Sequence, residues 1–546
     1  MINIWQTRFA VMAFILAGCG RIATTAQAAW PHHEEIAPGI HVVGFADKYR
    51  SANCGWIGTA DGTLLIDLPR GENTATLLAD IAKSTGKPVT TLVLTSATAA
   101  DLPVIDALLK QGVKRVCLSP ATFRALMSRP GQTATNTKVI SPAPTPRPGY
   151  ELLDQPAALG DAQTPIEFLP QDQVFVHGGA CVRLPKQQVL FGGPLLYHGP
   201  RVPLAGSDTA AWVTALEQLS ELHAAHVVPG FGSWGDGELV PRQLRFLSEL
   251  RRQVAYFIAQ GQPQEDLQRV VRLVPHYLVW MPYDTPLAED LDYVYRELTV
   301  PLAPFNGHPP EPGDKRPHAL VLIGDQPHEP GHIEAGLRPV FAATDVVPHF
   351  AFDVRALSAD NLARVQLLVI LRDGLQRPQA PGQPDYVWMT PTQEKAVVDF
   401  VHRGGGFLNL HNSMGLYPED GPYLRLVGGR YIGHGPLERF RVEVVDRDHP
   451  VTRGVQDFSV ADEQHTPPID ADKVHLLLRN RSDDGQTAAA GWVYEPGQGR
   501  LCHLANGHTR ESLAHPMYRR LMRNAVLWCL RQDAGATAES SAHGIK

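Results

Sequence analysis

The stretch from Thr390 to Asn412, TPTQEKAVVDFVHRGGGFLNLHN, decides how the second half of this chain is read. Thr390-Pro391 is helix-start chemistry. The segment PTQEKAVVDFVHRGGG that follows reads as a helix. Gly404-Gly405-Gly406 stops the helix, and FLNL is a short apolar run of strand type. A helix followed after three glycines by a buried strand is half of a strand–helix–strand unit. His411 follows that strand at once.

The same alternation runs outward in both directions. HALVLIG (318–324) predicts a first strand, HIEAGLRPVFAAT (332–344) a helix, and VVPHFAF and QLLVILRDG two further strands. RFRVEVV, VHLLLRN, GWVYE and GRLCHLANGH follow, and PMYRRLMRNAVLWCLRQ (516–532) closes as a helix. Strands alternating with helices predict a mostly parallel, doubly wound sheet. In such sheets ligands gather beyond the carboxyl ends of the strands. His328 and Glu329 lie after the first strand, His411 after FLNL, and His508 after GRLCHLA. All three loops therefore open on one edge. Glu463, in the irregular-looking ADEQ, is placed to reach that rim, and His434 is a weaker candidate. His449 precedes Pro450 and reads as a turn residue. Imidazoles and a carboxylate converging on one cleft suit a borderline divalent metal such as zinc. Catalysis through His411, Glu463 and His328 is the corresponding expectation.

The first half, about residues 31–300, begins with strand-like pieces: GIHVVGF, CGWIGTADG and TLLIDLP. A helix over NTATLLADIAKSTG and a buried strand TLVLTS follow, then QVFVHGG, CVRLP, QVLFGG and HVVPGFG. Early hairpins that give way to strand–helix alternation predict an α/β sandwich. RQLRFLSELRRQVAYFIAQG and the segments to Val300 read as helices. PLAPFNGHPPEPGDKRP (301–317) reads as a linker, and 533–546 as a polar disordered tail.

Two family resemblances rest on these residues. APGIHVVG, NCGWIGTADGTLLID, KPVTTLVLT, VRLPKQQVLFGG and HVVPGFG, in that order, resemble the metallo-β-lactamase fold, an αββα sandwich. That family's metal motif, H-x-H-x-D-H, would fall at Ser96, Thr98, Ala100 and Asp101. Its later positions meet His177 or Val176, then Gly193-Pro194, then Phe231 in PGFG. Ala, Pro and Phe cannot bind zinc, and neutral Ser and Thr are poor ligands. The expectation is a half without a metal and without hydrolytic activity. VDFVHRGGGFLNLHNS, YLRLVGGRYIGHG, DRDHPVTRGVQDFSVADEQ, GWVYEPGQGRLCHLANGHT and AVLWCL resemble the ThuA-like (trehalose utilisation) family. That resemblance implies a flavodoxin-like fold related to class I glutamine amidotransferases, and an association with sugar metabolism. The family's HE, LH, DE and GH motifs match His328-Glu329, His411, Glu463 and His508, and so imply the same metal set. The related amidotransferases carry a Cys at the turn where this chain has Ser413-Met414-Gly415. Thiolate chemistry is therefore excluded there.

The 546 residues suit two or more domains, and 44% hydrophobic residues can fill their cores. A net charge of −7 argues against a nucleic-acid binder. Arg8 and the short apolar run Phe9–Ala17 read as an export signal over 1–28. Leu16-Ala17-Gly18-Cys19 resembles a lipobox, which implies lipidation at Cys19 in the bacterial envelope or periplasm. Cleavage after Ala26-Gln27-Ala28 is the alternative. The remaining cysteines, Cys54, Cys117, Cys181, Cys502 and Cys529, form no framework and read as small buried apolar residues. Three functions remain open: an exported enzyme acting on a carbohydrate or glycoside, a non-catalytic envelope binding or scaffold protein, and a hydrolase using Ser413.

Overall fold

The computed structural model describes residues 32–44, 53–68, 74–128, 146–175, 177–198, 204–272, 287–299, 315–377 and 384–532. The expected signal segment with Cys19, most of the expected linker, Val176 and the tail lie outside the described residues.

The first half contains two facing sheets. One is β1 (His32–Ala37), β2 (Ile40–Gly44), β3 (Cys54–Thr59), β4 (Gly62–Ile66), β5 (Val89–Val93), β6 (Arg115–Leu118) and β7 (Tyr150–Leu152), neighbours in chain order. The hairpins come first. From β4 onward the pairing is parallel, as the helices α1 (Thr74–Thr85), α2 (Leu102–Lys110) and α3 (Pro120–Leu126) allow. The other sheet runs β13-β12-β11-β10-β9-β8, from β8 (Ala157–Ala158), β9 (Glu167–Pro170), β10 (Ala180–Leu184), β11 (Val189–His198), β12 (His226–Gly232) and β13 (Gly235–Asp236). Strand alternation divides the core. In β4, Leu64 and Ile66 face the second sheet, against Phe168, Val182 and Phe191. Leu65 faces the other way, against Leu77, Ile81 and Ile105 of the helices. The second sheet turns its outer face, through Leu190 and Leu196, to α4 (Thr209–Ser220) and α5 (Leu239–Ala259). The layers are thus helix, sheet, sheet, helix. The short α6 (Leu267–Val270) and α7 (Leu287–Thr299) pack beside α5.

The second half is built on one nine-stranded sheet, order β15-β14-β16-β19-β24-β23-β22-β20-β21. Its parallel part is β14 (His318–Ile323), β15 (Val347–Ala351), β16 (Leu367–Leu371), β19 (Gly406–Leu410) and β24 (Arg500–Leu504). The strands β20 (His434–Val444), β21 (Phe458–His465), β22 (His475–Arg481) and β23 (Thr487–Tyr494) extend it antiparallel. A small hairpin, β17 (Leu375–Gln376) with β18 (Tyr386–Val387), stands apart. Ala319, Val321 and Ile323 of β14 face α8 (Pro330–Ala342) and α13 (Pro516–Cys529). Leu320 and Leu322 face the opposite layer, with α10 (Pro391–His402). At the start of α10, Thr390 and Gln393 cap each other's backbone N–H. Short helices α9 (Ala359–Leu362), α11 (Pro422–Val427) and α12 (Arg510–Ala514) fill the loops.

The two halves share one apolar core. Val254 and Ile258 of α5 belong to the same buried cluster as Ile333 and Leu337 of α8. The five described cysteines are free and buried. Among the described residues no helix is long and apolar enough to cross a membrane.

Candidate metal centre

The parallel strands bring their carboxyl-end loops to one edge. His328 follows β14, His411 is the residue after β19, and His508 follows β24. Glu463 reaches the same point from an element that the sequence did not predict. It lies inside β21, where the expectation was an irregular stretch. The ADEQH run has too few apolar residues to read as a strand. It is held as one by pairing with β20 along its length.

One ligand atom from each of His328, His411, Glu463 and His508 lies within 4.8 Å of the others. Glu463 Oε2 is 3.6 Å from His411 Nε2 and 3.5 Å from His508 Nδ1. Those separations approach the roughly 3.3 Å edge of a tetrahedron of ligands at 2.0–2.1 Å. His328 Nε2, His411 Nε2 and His508 Nδ1 are buried and make no hydrogen bond among the described residues. Buried polar atoms left without a partner are costly, so three of them at one point ask for a ligand.

The opposite sides of these rings are anchored. His328 Nδ1–H donates to Asp325 Oδ1 (2.6 Å), and the His328 N–H donates to the same oxygen (3.0 Å). Asp325 Oδ2 accepts from the Asp373 N–H (2.7 Å). His411 Nδ1–H donates to the Ala505 carbonyl (2.9 Å). Each anchor fixes a tautomer whose Nε2 lone pair points inward, as metal-ligating histidines require. The loop of His508 is tied by Asp462, which accepts from the N–H groups of Gly507 (2.8 Å) and His508 (3.1 Å). Gly507 has φ +129°, a conformation that favours glycine. His411 itself has φ +51°, a strained backbone for a non-glycine residue, held by its N–H bond to Leu504 (2.7 Å).

The electrostatics suit the same use. Burial, then the neighbouring imidazoles of His411 and His328, bring His508 down to about 4. It is therefore neutral near pH 7. Burial works to raise the carboxyl of Glu463. The imidazoles of His411, His465 and His508, close around it, outweigh that and hold the group well below the usual carboxylate range. Burial works to lower His411, and Glu463 and Asp462 reverse that and raise it.

His434 is also here, on the rim and part-exposed, its Nε2 3.7 Å from Glu463 Oε2. His465 was missed. It sits two residues after Glu463 on the same face of β21, pairs with His434 across the strands, and stacks on His411 at 4.3 Å. Burial, then His411, hold it down to about 3. The spacing Glu-x-His would have revealed it had the segment been read as a strand. Asp325, three residues before His328, was missed for the same want of a local pattern.

Other expected positions fall elsewhere. Glu329 is a helix cap and not a ligand: its carboxylate accepts from the N–H groups of Gly331 and His332 at the start of α8. Ser413 is not a nucleophile. It is fully buried, and its hydroxyl donates to the carbonyls of Ile370 and Leu410. His449 caps the turn at Val451. His177 and Asp101 line a separate cavity in the first half.

The loop carrying His328 is braced from the first half. Arg372 is fully buried; it donates to Gly324 O, to Gln376 Oε1 and, at 2.8 Å, to Ala259 O at the end of α5. Arg252 of α5 stands 3.8 Å from Glu329.

Residues 319–529 match the family model described as ThuA, trehalose utilisation, and form a domain of that family. The chain is similar to a metallo-beta-lactamase from Pontibacter korlensis at 23% identity, over 40% of this chain and 98% of that one, with a TM-score of 0.33. It is also similar to a putative ThuA-like protein from Bacteroides uniformis at 18% identity, over 41% and 95%, with a TM-score of 0.32. A putative ThuA-like protein from Parabacteroides merdae matches at 14% identity, over 40% and 90%, with a TM-score of 0.33.

Proposed function

We propose that the ThuA domain is the working part of an exported enzyme that acts on a carbohydrate or glycoside derivative at a divalent-metal centre, with zinc the favoured ion. The observation that carries the reading is the set of three buried, unpartnered imidazole nitrogens beside Glu463. The sugar class rests on the family's description, trehalose utilisation. When bound, the metal would polarise a substrate oxygen and acidify a bound water.

The chain's own residues do the rest. Asp325 and the Ala505 carbonyl hold two imidazoles in the inward-facing tautomer. Asp462 fixes the loop that presents His508. His465 packs under His411 and keeps that ring from turning. His434, open to solvent on the rim, orients a substrate hydroxyl toward Glu463. Tyr431, whose ring lies 5.0 Å from His465 and 6.0 Å from His434, walls the entrance. Among the described residues of the first half no metal-ligand cluster is found, and on this reading that half takes no part in bond cleavage.

The test uses the full chain. Elemental analysis should find one metal per chain, lost in His411→Ala and His508→Ala while the melting transition persists. Turnover of glycosides and keto-sugars should be lost with it. Normal metal and activity in both variants would refute the shared centre. A metal-free wild type that still depends on His411 would replace it with metal-free acid–base chemistry.

A further inference from the structure

The first half has its own cavity, of about 220 Å³, at the carboxyl ends of β4 and β5 and walled by β11 and β12. This is smaller than the roughly 300–1,000 Å³ of sites that take drug-sized ligands, and it suits a single ring.

Three features describe what it would hold. Phe231 stacks flat on Tyr197, with ring centroids 5.3 Å apart and planes 9° apart, so one wall is a broad aromatic face. Two carboxylates, Asp67 and Asp101, line the same space and disfavour an anion. Both are already engaged. Asp67 accepts from the Thr95 N–H (2.7 Å) and hydroxyl (2.6 Å), and Asp101 accepts from the Thr98 N–H (2.7 Å). Each keeps spare lone pairs for a hydroxyl donor, while its charge is partly spent against a cation. Ser96 Oγ and the His177 imidazole also line the cavity and make no hydrogen bond among the described residues.

The site is also preformed. Asp67 has φ +59°, a left-handed conformation uncommon for a non-glycine residue, and it is held there by Thr95. Strain of this kind clusters at functional sites, and among the described residues no metal donor set accompanies it here.

We infer that this cavity is a metal-free binding site for one neutral sugar ring, stacked on Phe231 and hydrogen-bonded by Asp67, Asp101, Ser96 and His177. The inference does not depend on the metal centre of the second half.

Chelator-treated full-length protein is titrated with glucose, galactose, mannose and their methyl glycosides, and with tetramethylammonium and inorganic phosphate as counter-probes. At least one hexose should bind saturably. Phe231→Ala should weaken it about tenfold, the loss of one stacking contact. Ser96→Ala, a smaller change less able to disturb the fold, should weaken it severalfold. His411→Ala should leave it unchanged. The inference is overturned if no hexose saturates, if Ser96→Ala and a folded Phe231→Ala bind like wild type, if His411→Ala abolishes binding, or if tetramethylammonium or phosphate displaces the sugar.

Discussion

Asp325→Asn isolates the carboxylate that holds a proposed ligand without touching the ligand itself. Asp325 accepts three N–H groups: the His328 imidazole at 2.6 Å, the His328 backbone at 3.0 Å and the Asp373 backbone at 2.7 Å. Asparagine offers one acceptor oxygen where the carboxylate offers two. If that oxygen stays with His328, the new NH2 group confronts the Asp373 N–H, donor against donor. If it turns, His328 loses its anchor. The carboxylate is also buried, so its bond to the ring is charge-assisted and worth about 1.5–3 kcal/mol. A carboxylate behind a ligating imidazole typically contributes about 10–100-fold in metal affinity, or about 1.4–2.8 kcal/mol. The two routes agree. Competition of full-length protein against a chelator of known affinity should therefore show zinc and cobalt bound about 10–100-fold more weakly. Glu329→Gln is the control. It alters a helix cap one residue from His328 and should cost stability alone. Asp325→Asn binding metal within about twofold of wild type would refute the assignment of His328 as a ligand.

Arg372→Met removes a buried cation, leaves the Gly324 carbonyl without its side-chain donor and leaves the Ala259 carbonyl to Gln376 alone; a loss of about 3–5 kcal/mol is expected in denaturant unfolding, and a neutral result would show that the brace is not needed. Burial pushes the Asp67 carboxyl up to about 7, against hydrogen bonds from Thr95 and Ser96. Its folded pKa thus exceeds its unfolded value, so its contribution to stability falls as pH rises from about 4 to about 7 and then levels off. Asp67→Asn should shrink the difference in melting temperature between about pH 5 and pH 8, and an unchanged difference would assign the pH dependence elsewhere. If Cys19 is lipidated, Cys19→Ala should move the protein from the membrane fraction to the soluble one without altering its melting curve, and persistence at the membrane would exclude the anchor.

The parallel core of the second half was legible because each β–α unit carries its own punctuation. Thr390-Pro391 and the three glycines before FLNL say helix, stop and strand without help from the rest of the chain. His328, His411 and His508 were legible for the same reason, since each ends such a unit. The antiparallel extension was less so. β20 exposes most of its residues from His434 to Arg439, and β21 carries charge through ADEQH, so neither shows the alternation of a half-buried strand. Their identity comes from pairing with each other, which is non-local. Glu329 misled because a carboxylate beside a candidate ligand also fits a helix start, and Pro330 at the first helical position was the sign that favoured the cap. In the first half, the cavity was not legible. It is formed where residues 67, 96, 101, 177 and 231 meet, and no window of sequence contains it.

The shared core beneath α5 has a consequence for how this chain can be divided. Val254 and Ile258 are buried by α8, and the carbonyl at the end of α5 is bound by an arginine of the other half. Cutting between the halves would leave an oily helix face in water or in mutual aggregation, and would strip Arg372 of its bond to Ala259 O. The chain should melt in one calorimetric transition, and limited proteolysis should not release a soluble ThuA domain. The first half is thereby tied to the second whatever it binds: it is part of the other half's interior.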